Sequence, residues 1–171
     1  MVWASFSGAL GRSDLVVIER DKESPKGGYS ARSYVQVLED QIPQIYKPDF
    51  QFMQDNAPIH KSKLIAKWFK ENVVDVINWP PYSPDLNPIE HAWVQPKETL
   101  YKRFPEIAYM RGSKEEVIKK LSEALVICWN EIAPAFFESL INSMEERCDA
   151  VIKAKGWHTR FCVIVQCGRI E

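Results

Sequence analysis

Between Trp79 and Trp93 the chain reads WPPYSPDLNPIEHAW. Proline fixes φ near about −65° and has no N–H to donate, so Pro81, Pro84 and Pro88 bar this stretch from the interior of a helix or a sheet. The same ring suits the first turn of a helix, where the missing N–H loses no partner. The stretch is therefore a rigid turn that delivers a helix from about Pro88, and it divides the chain. Strand and helix patterns alternate before it; after it the apolar repeats are helical. Two readings of Glu90, at the start of that helix, stay open: a carboxylate held still because it ligates something, or one residue of a strand-to-helix turn.

Before the turn, Val2–Ser7 reads as a strand, Gly8–Ser13 as a turn and Leu15–Ile18 as a second strand, which together predict a hairpin. Glycines and Pro25 mark a loop through Gly28. Ala31, Tyr34, Val35, Leu38 and Ile42 follow helical spacing, and Pro43 is expected to end or kink that helix. Phe50–Gln54 reads as a strand ending at Asp55. Leu64, Ile65, Trp68 and Phe69 stripe the next helix, and Val73–Trp79 is a further strand candidate. In the last third, Ser113 and Glu116 have capping-box spacing, and Pro134 suits a first helical turn. The order of elements predicts an α/β fold with a mixed sheet and a helical C-terminal part.

The chain has 171 residues, 46% of them hydrophobic, which suits one domain with a single sizeable core. No apolar run is long enough to span a bilayer, and no membrane partner is expected. The N-terminus lacks the regions of a signal peptide. Cys128, Cys148, Cys162 and Cys167 form no C-x-x-C pair and read as having no histidine at zinc-site spacing, so reduced thiols in an intracellular protein are expected. The net charge of −1 gives no global attraction for nucleic acid.

QDNAPIH, residues 54–60, puts Asp55 at the carboxyl end of its strand, the edge where sites of α/β sheets gather. The 34 residues between Asp55 and Glu90 hold a helix, a strand and the turn, enough to return the chain to a neighbouring strand end. Two carboxylates converging there suit an oxygen-preferring divalent cation, Mg²⁺ or Mn²⁺. Spacing alone equally allows each to cap its own turn. His60 is read as a turn stabiliser, His91 as a solvated helix residue, and Trp79 and Trp93 as packing anchors. Asp85 and Asn87 are read as local caps. The Lys61, Lys63, Lys67 and Lys70 face is read as solvated.

The QDNAPIH and WPPYSPDLNPIEHAW motifs at this separation resemble the catalytic region of the Tc/mariner superfamily of DDE transposases. The likeness runs from Val2–Ser7 to SMEERCDAVIKAKGWHTRF. It implies an RNase H-like domain over residues 1–157, with 158–171 a divergent tail. By motif, Asp55 and Glu90 match the family's second and third acids, catalytic residues that ligate a pair of Mg²⁺ or Mn²⁺ ions. The implied chemistry is DNA cleavage and strand transfer in transposition, with DNA as partner, a possible homo-oligomer, and the nucleus as location.

Three departures accompany the likeness. The family's first acid lies on a central strand preceding the Val2–Ser7 strand, and this sequence starts at Met1. An incomplete sheet, with open edges facing a gap and a chain inactive by itself, is therefore expected. Asp14 and Asp21 flank the second strand and are poorly placed as substitutes. Pro96, about two turns into the Glu90 helix, would clash with the carbonyl of Ala92 unless the helix bends. The tail CVIVQCGRIE is not covered. The alternative function is a non-catalytic scaffold of the same origin that binds DNA or protein.

Overall fold

The computed structural model describes residues 1–25 and 27–162. The predicted hairpin forms, in two short antiparallel ladders. β1 (Val2–Trp3) pairs with β4 (Val16–Val17), and β2 (Phe6–Ser7) pairs with β3 (Gly11–Arg12). Between the ladders the Ser13 N–H donates to the Ser5 carbonyl at 2.8 Å, and the Ser13 hydroxyl accepts from the Ser5 N–H at 2.9 Å. Alternation does the sorting: Val2, Ala4 and Phe6 face one core, while Trp3 faces another.

Seven helices follow: α1 (Ala31–Ile45), α2 (Lys63–Glu71), α3 (Pro88–Ala92), α4 (Val94–Arg103), α5 (Lys114–Asn130), α6 (Pro134–Asn142) and α7 (Met144–Lys153), among the described residues. Ser30 caps α1 and Ser62 caps α2. Ser113 and Glu116 form the predicted capping box, and Pro134 opens α6. α1 continues through Pro43 and stops shortly after, at Ile45. So close to the end, the proline removes one hydrogen bond and its ring stays at the exposed surface.

The helix expected from Pro88 is two helices. α3 ends at Ala92, Trp93 is the joint, and Pro96 falls in the first turn of α4, where a missing N–H has no helical partner to lose. The break removes the clash with Ala92, and Pro96 is fully buried.

The strands expected at Phe50–Gln54 and Val73–Trp79 shrink to one parallel bridge, Phe52 to Val76. Its bonds run from the Phe52 N–H to the Asp75 carbonyl at 2.7 Å and from the Ile77 N–H to the Phe52 carbonyl at 2.9 Å. Val73, leaving α2, adopts φ 55°, which shortens the extended run. On the other side of Phe52, the Gln51 and Met53 N–H groups find no hydrogen-bond partner among the described residues. No ladder joins this run to the hairpin there. Residues 1–7 and 50–55 instead line one cleft of about 630 Å³. The two halves do not pair with each other across this cleft.

Each half has its own core. Tyr34, Leu38, Ile42, Ile65, Trp68, Phe69 and Val74 join α1 and α2 beneath the Phe52 bridge. Ala4, Leu15, Ala92, Trp129, Ile132, Phe137 and Leu140 join the hairpin to α3, α5 and α6. The Trp129 indole N–H donates to the Ser13 carbonyl at 2.9 Å, and Arg12 donates to the carbonyls of Asn130 and Ile132 at 2.6 Å each, fixing the hairpin to the C-terminal helices. Among the described residues no single helix is long and apolar enough to cross a membrane.

Candidate functional site

Asp55 ends the Phe52 run, and Glu90 stands in the first turn of α3 behind Asn87, whose side chain accepts from the Ile89 N–H at 3.4 Å. The loops carrying the two acids are tied together: the Asn56 amide donates to the Trp79 carbonyl at 3.0 Å. Tyr34 on α1 donates to the Gln54 side chain at 2.9 Å, which holds the residue before Asp55. Both acids line the large cleft and also a second hollow of about 440 Å³ with Lys61, Trp79, Tyr82 and Pro84. The local folding is legible: a strand end, a proline-stiffened turn and a capped helix start.

The two carboxylates differ in their support. Asp55 Oδ1 accepts from the Ala57 N–H at 3.0 Å and meets His60 Nδ1 at 2.6 Å. The His60 bond, followed by that from Ala57, holds the Asp55 carboxyl below the usual range despite the opposing effect of burial. His60, stacked 4.5 Å from the Tyr34 ring, is the turn stabiliser expected of it. Glu90 is half-buried, and its carboxylate makes no hydrogen bond or ion pair among the described residues. Burial first, and then the charge of Asp55, push its carboxyl up, against a smaller pull from Lys97. A half-buried acid without a partner, repelled by a second acid across the same cleft, is a site that a cation would relieve. The all-oxygen donor set fits Mg²⁺ or Mn²⁺.

Asp14 and Asp21 take no part in the cleft. Asp21 accepts from the Ser30 hydroxyl at 2.6 Å and from Arg32 Nε at 3.0 Å, locking the entry to α1. Trp93 stacks on Trp129, with ring centroids 5.3 Å apart.

Sequence reasoning missed a buried arrangement at the other end of the turn. Asp85 is not merely a local cap. Its Oδ2 accepts from both the N–H and the hydroxyl of Thr159, at 2.6 Å each. Burial pushes the Asp85 carboxyl up, but these bonds outweigh it and hold it below the usual range. Arg147 of α7, 1% exposed, donates to the Asp85 carbonyl at 2.9 Å. It also lies 3.4 Å from His91 Nδ1 and 4.7 Å from the Phe161 ring centroid. His91, expected to be solvated, is thus half-buried against a guanidinium, and burial pushes its pKa down. The segment 158–162, assigned to a divergent tail, is bonded to this turn; residues 163–171, with Cys167, lie outside the described residues. Cys128, Cys148 and Cys162 are free thiols, as read, but one of them does have a histidine nearby. His158 precedes Cys162 by four positions, an H-x₃-C spacing that was the available signal, and Asp85 completes the trio.

A short hairpin, one parallel bridge and the helices packed on them make a mixed α/β fold, with Asp55 and Glu90 lining one cleft. Residues 24–110 match the family model described as DDE superfamily endonuclease, and the chain belongs to that family. It is 40% identical over 113 residues to the Tc1 transposase of Caenorhabditis elegans, covering 66% of this chain and 37% of that protein. It is 30% identical over 160 residues to the Tc3 transposase of the same organism, covering 91% and 44%. The chain thus spans less than half the length of these curated relatives. The Mos1 transposase paired-end complex with left transposon end superposes with a TM-score of 0.66 at 21% identity, over 92% of this chain and 43% of that one. The Mos1 catalytic domain alone gives 0.57 at 18%, over 92% and 81%. These similarities bear out the RNase H-like fold and the Tc/mariner DDE catalytic domain read from the two motifs.

Proposed function

We propose that this chain is part of a Tc/mariner-type transposase acting on DNA in the nucleus, with Asp55 and Glu90 as metal-ligating catalytic residues. The observation that carries the reading is that Asp55 and Glu90 line one cleft, the half-buried Glu90 carboxylate having no bonded partner among the described residues. Asp55 and Glu90 would hold Mg²⁺ or Mn²⁺, two ions in a complete site. Bound there, such ions supply Lewis acidity that activates a water or a DNA 3′-hydroxyl and stabilises the leaving oxygen in phosphodiester cleavage and strand transfer. The carboxylates act as ligands, not as general acid or base. His60 orients Asp55 through Nδ1, and the prolines and Asn87 fix the entry of Glu90. Lys61, and Tyr82 fully exposed at the rim, are positioned to meet phosphate and base on an incoming strand.

Asp55 and Glu90 are the acids lining the cleft among the described residues, and two carboxylates alone would hold divalent ions weakly. The 171-residue chain by itself should therefore bind Mn²⁺ weakly and cleave no DNA. Open strand edges also favour self-association, measurable by sedimentation. Mn²⁺ binding followed by electron paramagnetic resonance tests the site: Asp55→Asn and Glu90→Gln should each weaken it by at least about tenfold, or about 1.4 kcal/mol. Binding unchanged in both variants would sink the proposal. DNA binding that ignores divalent cations and survives both substitutions would favour the non-catalytic scaffold instead.

A further inference from the structure

Asp85, His158 and Cys162 come together on the side of the proline turn away from the cleft, and each can offer one ligand atom. Those three atoms all lie within 4.8 Å of one another. The Cys162 Sγ to His158 Nδ1 separation is 3.6 Å. Bonds of about 2.3 Å to sulfur and about 2.0–2.1 Å to nitrogen, at the tetrahedral angle, place those two atoms about 3.6 Å apart. The measured pair therefore already spans one edge of a zinc-sized tetrahedron.

The third ligand is unusually well prepared. Asp85 is 5% exposed, and both Thr159 bonds fall on one of its two carboxylate oxygens, Oδ2. Ligating carboxylates are commonly oriented in this way by hydrogen bonds from outside the metal. The neighbouring buried guanidinium does not consume the carboxylate, because Arg147 bonds to the main-chain carbonyl of Asp85. One thiolate, one imidazole and one carboxylate form a borderline-soft set, unlike the all-oxygen pair in the cleft.

We propose that Asp85, His158 and Cys162 bind a zinc-class divalent cation, with water at the remaining corner, as a clasp between segment 158–162 and the turn that carries Glu90. On binding, the Cys162 thiol releases its proton to solvent as the sulfur–metal bond forms. The ligand charges, minus one from Asp85 and minus one from the thiolate, balance the cation. The clasp stiffens the mount of Glu90 from behind and stands apart from the chemistry proposed for the cleft, so either can fail without the other.

The test uses the full chain, reduced and stripped with a chelator, then titrated with Co²⁺ as a visible substitute. A thiolate-to-Co²⁺ charge-transfer band saturating at one equivalent, with the intense visible bands of tetrahedral Co²⁺, is expected, and Zn²⁺ should displace it. The band should vanish in Cys162→Ala and in His158→Ala, and persist in Cys148→Ala, Asp55→Asn and Glu90→Gln. Zn²⁺ should raise the Tm of the unsubstituted chain and leave that of Cys162→Ala unmoved. A second readout needs no substitution: Zn²⁺ should slow alkylation of Cys162, located by mass spectrometry, and leave Cys148 unprotected. No thiolate band, a band surviving both ligand substitutions, or equal labelling of Cys162 with and without Zn²⁺ would each overturn the proposal.

Discussion

Asp85 and Glu90 sit five residues apart on one proline-stiffened turn, yet their surroundings are opposite. Asp85 is buried and held by its neighbours: two bonds from Thr159 on one carboxylate oxygen and Arg147 on its carbonyl. Glu90 is half-buried, without a partner, and faces another acid. One carboxyl is held below its usual range and the other is pushed above it. The contrast separates two uses of a carboxylate. Asp85 ties the C-terminal segment to the turn through its carboxylate, and the Glu90 carboxylate makes no such tie. A turn that only joined elements would have no reason to strand one of its acids.

The comparison can be broken first at its stable end. Asp85→Ala removes the acceptor of two charge-assisted hydrogen bonds and leaves the part-buried Thr159 N–H without that partner. A loss of about 3 kcal/mol is expected from urea denaturation. A loss below about 1 kcal/mol would mean that the 158–162 segment contributes little to the fold.

At the other end, Glu90→Gln should leave stability unchanged or slightly higher, within about 0.5 kcal/mol, because it removes repulsion and breaks no bond. The same substitution should weaken Mn²⁺ binding by at least about tenfold, or about 1.4 kcal/mol. A marked destabilisation would show that Glu90 has a structural role, and the contrast with Asp85 would collapse.

The acids should also pull the pH dependence of stability in opposite directions. Asp85, depressed in the folded state, contributes stability that is present above its unfolded pKa and lost as pH falls through the folded value. Glu90, raised in the folded state, contributes stability that is present below its unfolded pKa and lost as pH rises through the folded value. Stability against pH should therefore climb through the acidic range and then sag slightly above the usual glutamate value. Glu90→Gln should remove the sag alone, as measured by thermal melts across that range.

The smallest effect belongs to the support of Asp55. His60→Ala should cost under about 1 kcal/mol, since the pair is partly exposed to solvent. It should, however, let the Asp55 carboxyl rise toward its usual range, visible in a carboxyl-carbon NMR titration. An unmoved Asp55 would assign its depression to the Ala57 N–H instead.

Much of this was legible because it depends on short-range rules. The hairpin, the Ser113–Glu116 capping box, Pro134 opening α6 and the placement of Asp55 and Glu90 at chain-reversal points follow from residue type and spacing. The elements that went astray depend on neighbours. Phe50–Gln54 and Val73–Trp79 have strand-forming residues, but extended backbone becomes a ladder only where another strand meets it, and one bridge is what forms. Pro96 signalled strain in a helix, but not that a break at Trp93 would turn an interior position into a first turn.

By itself the sequence determined the local vocabulary: where helices begin, where the backbone is stiff, and which two acids stand at the ends of elements. Tertiary structure alone decided who meets whom. Asp85 and Thr159 are separated by 74 positions, and Arg147 reaches the same turn across 62. No periodicity encodes such contacts; they arise when α7 folds back over the turn and burial obliges each polar group to find a partner. The same packing left Glu90 without one, because the neighbour it meets across the cleft is another carboxylate.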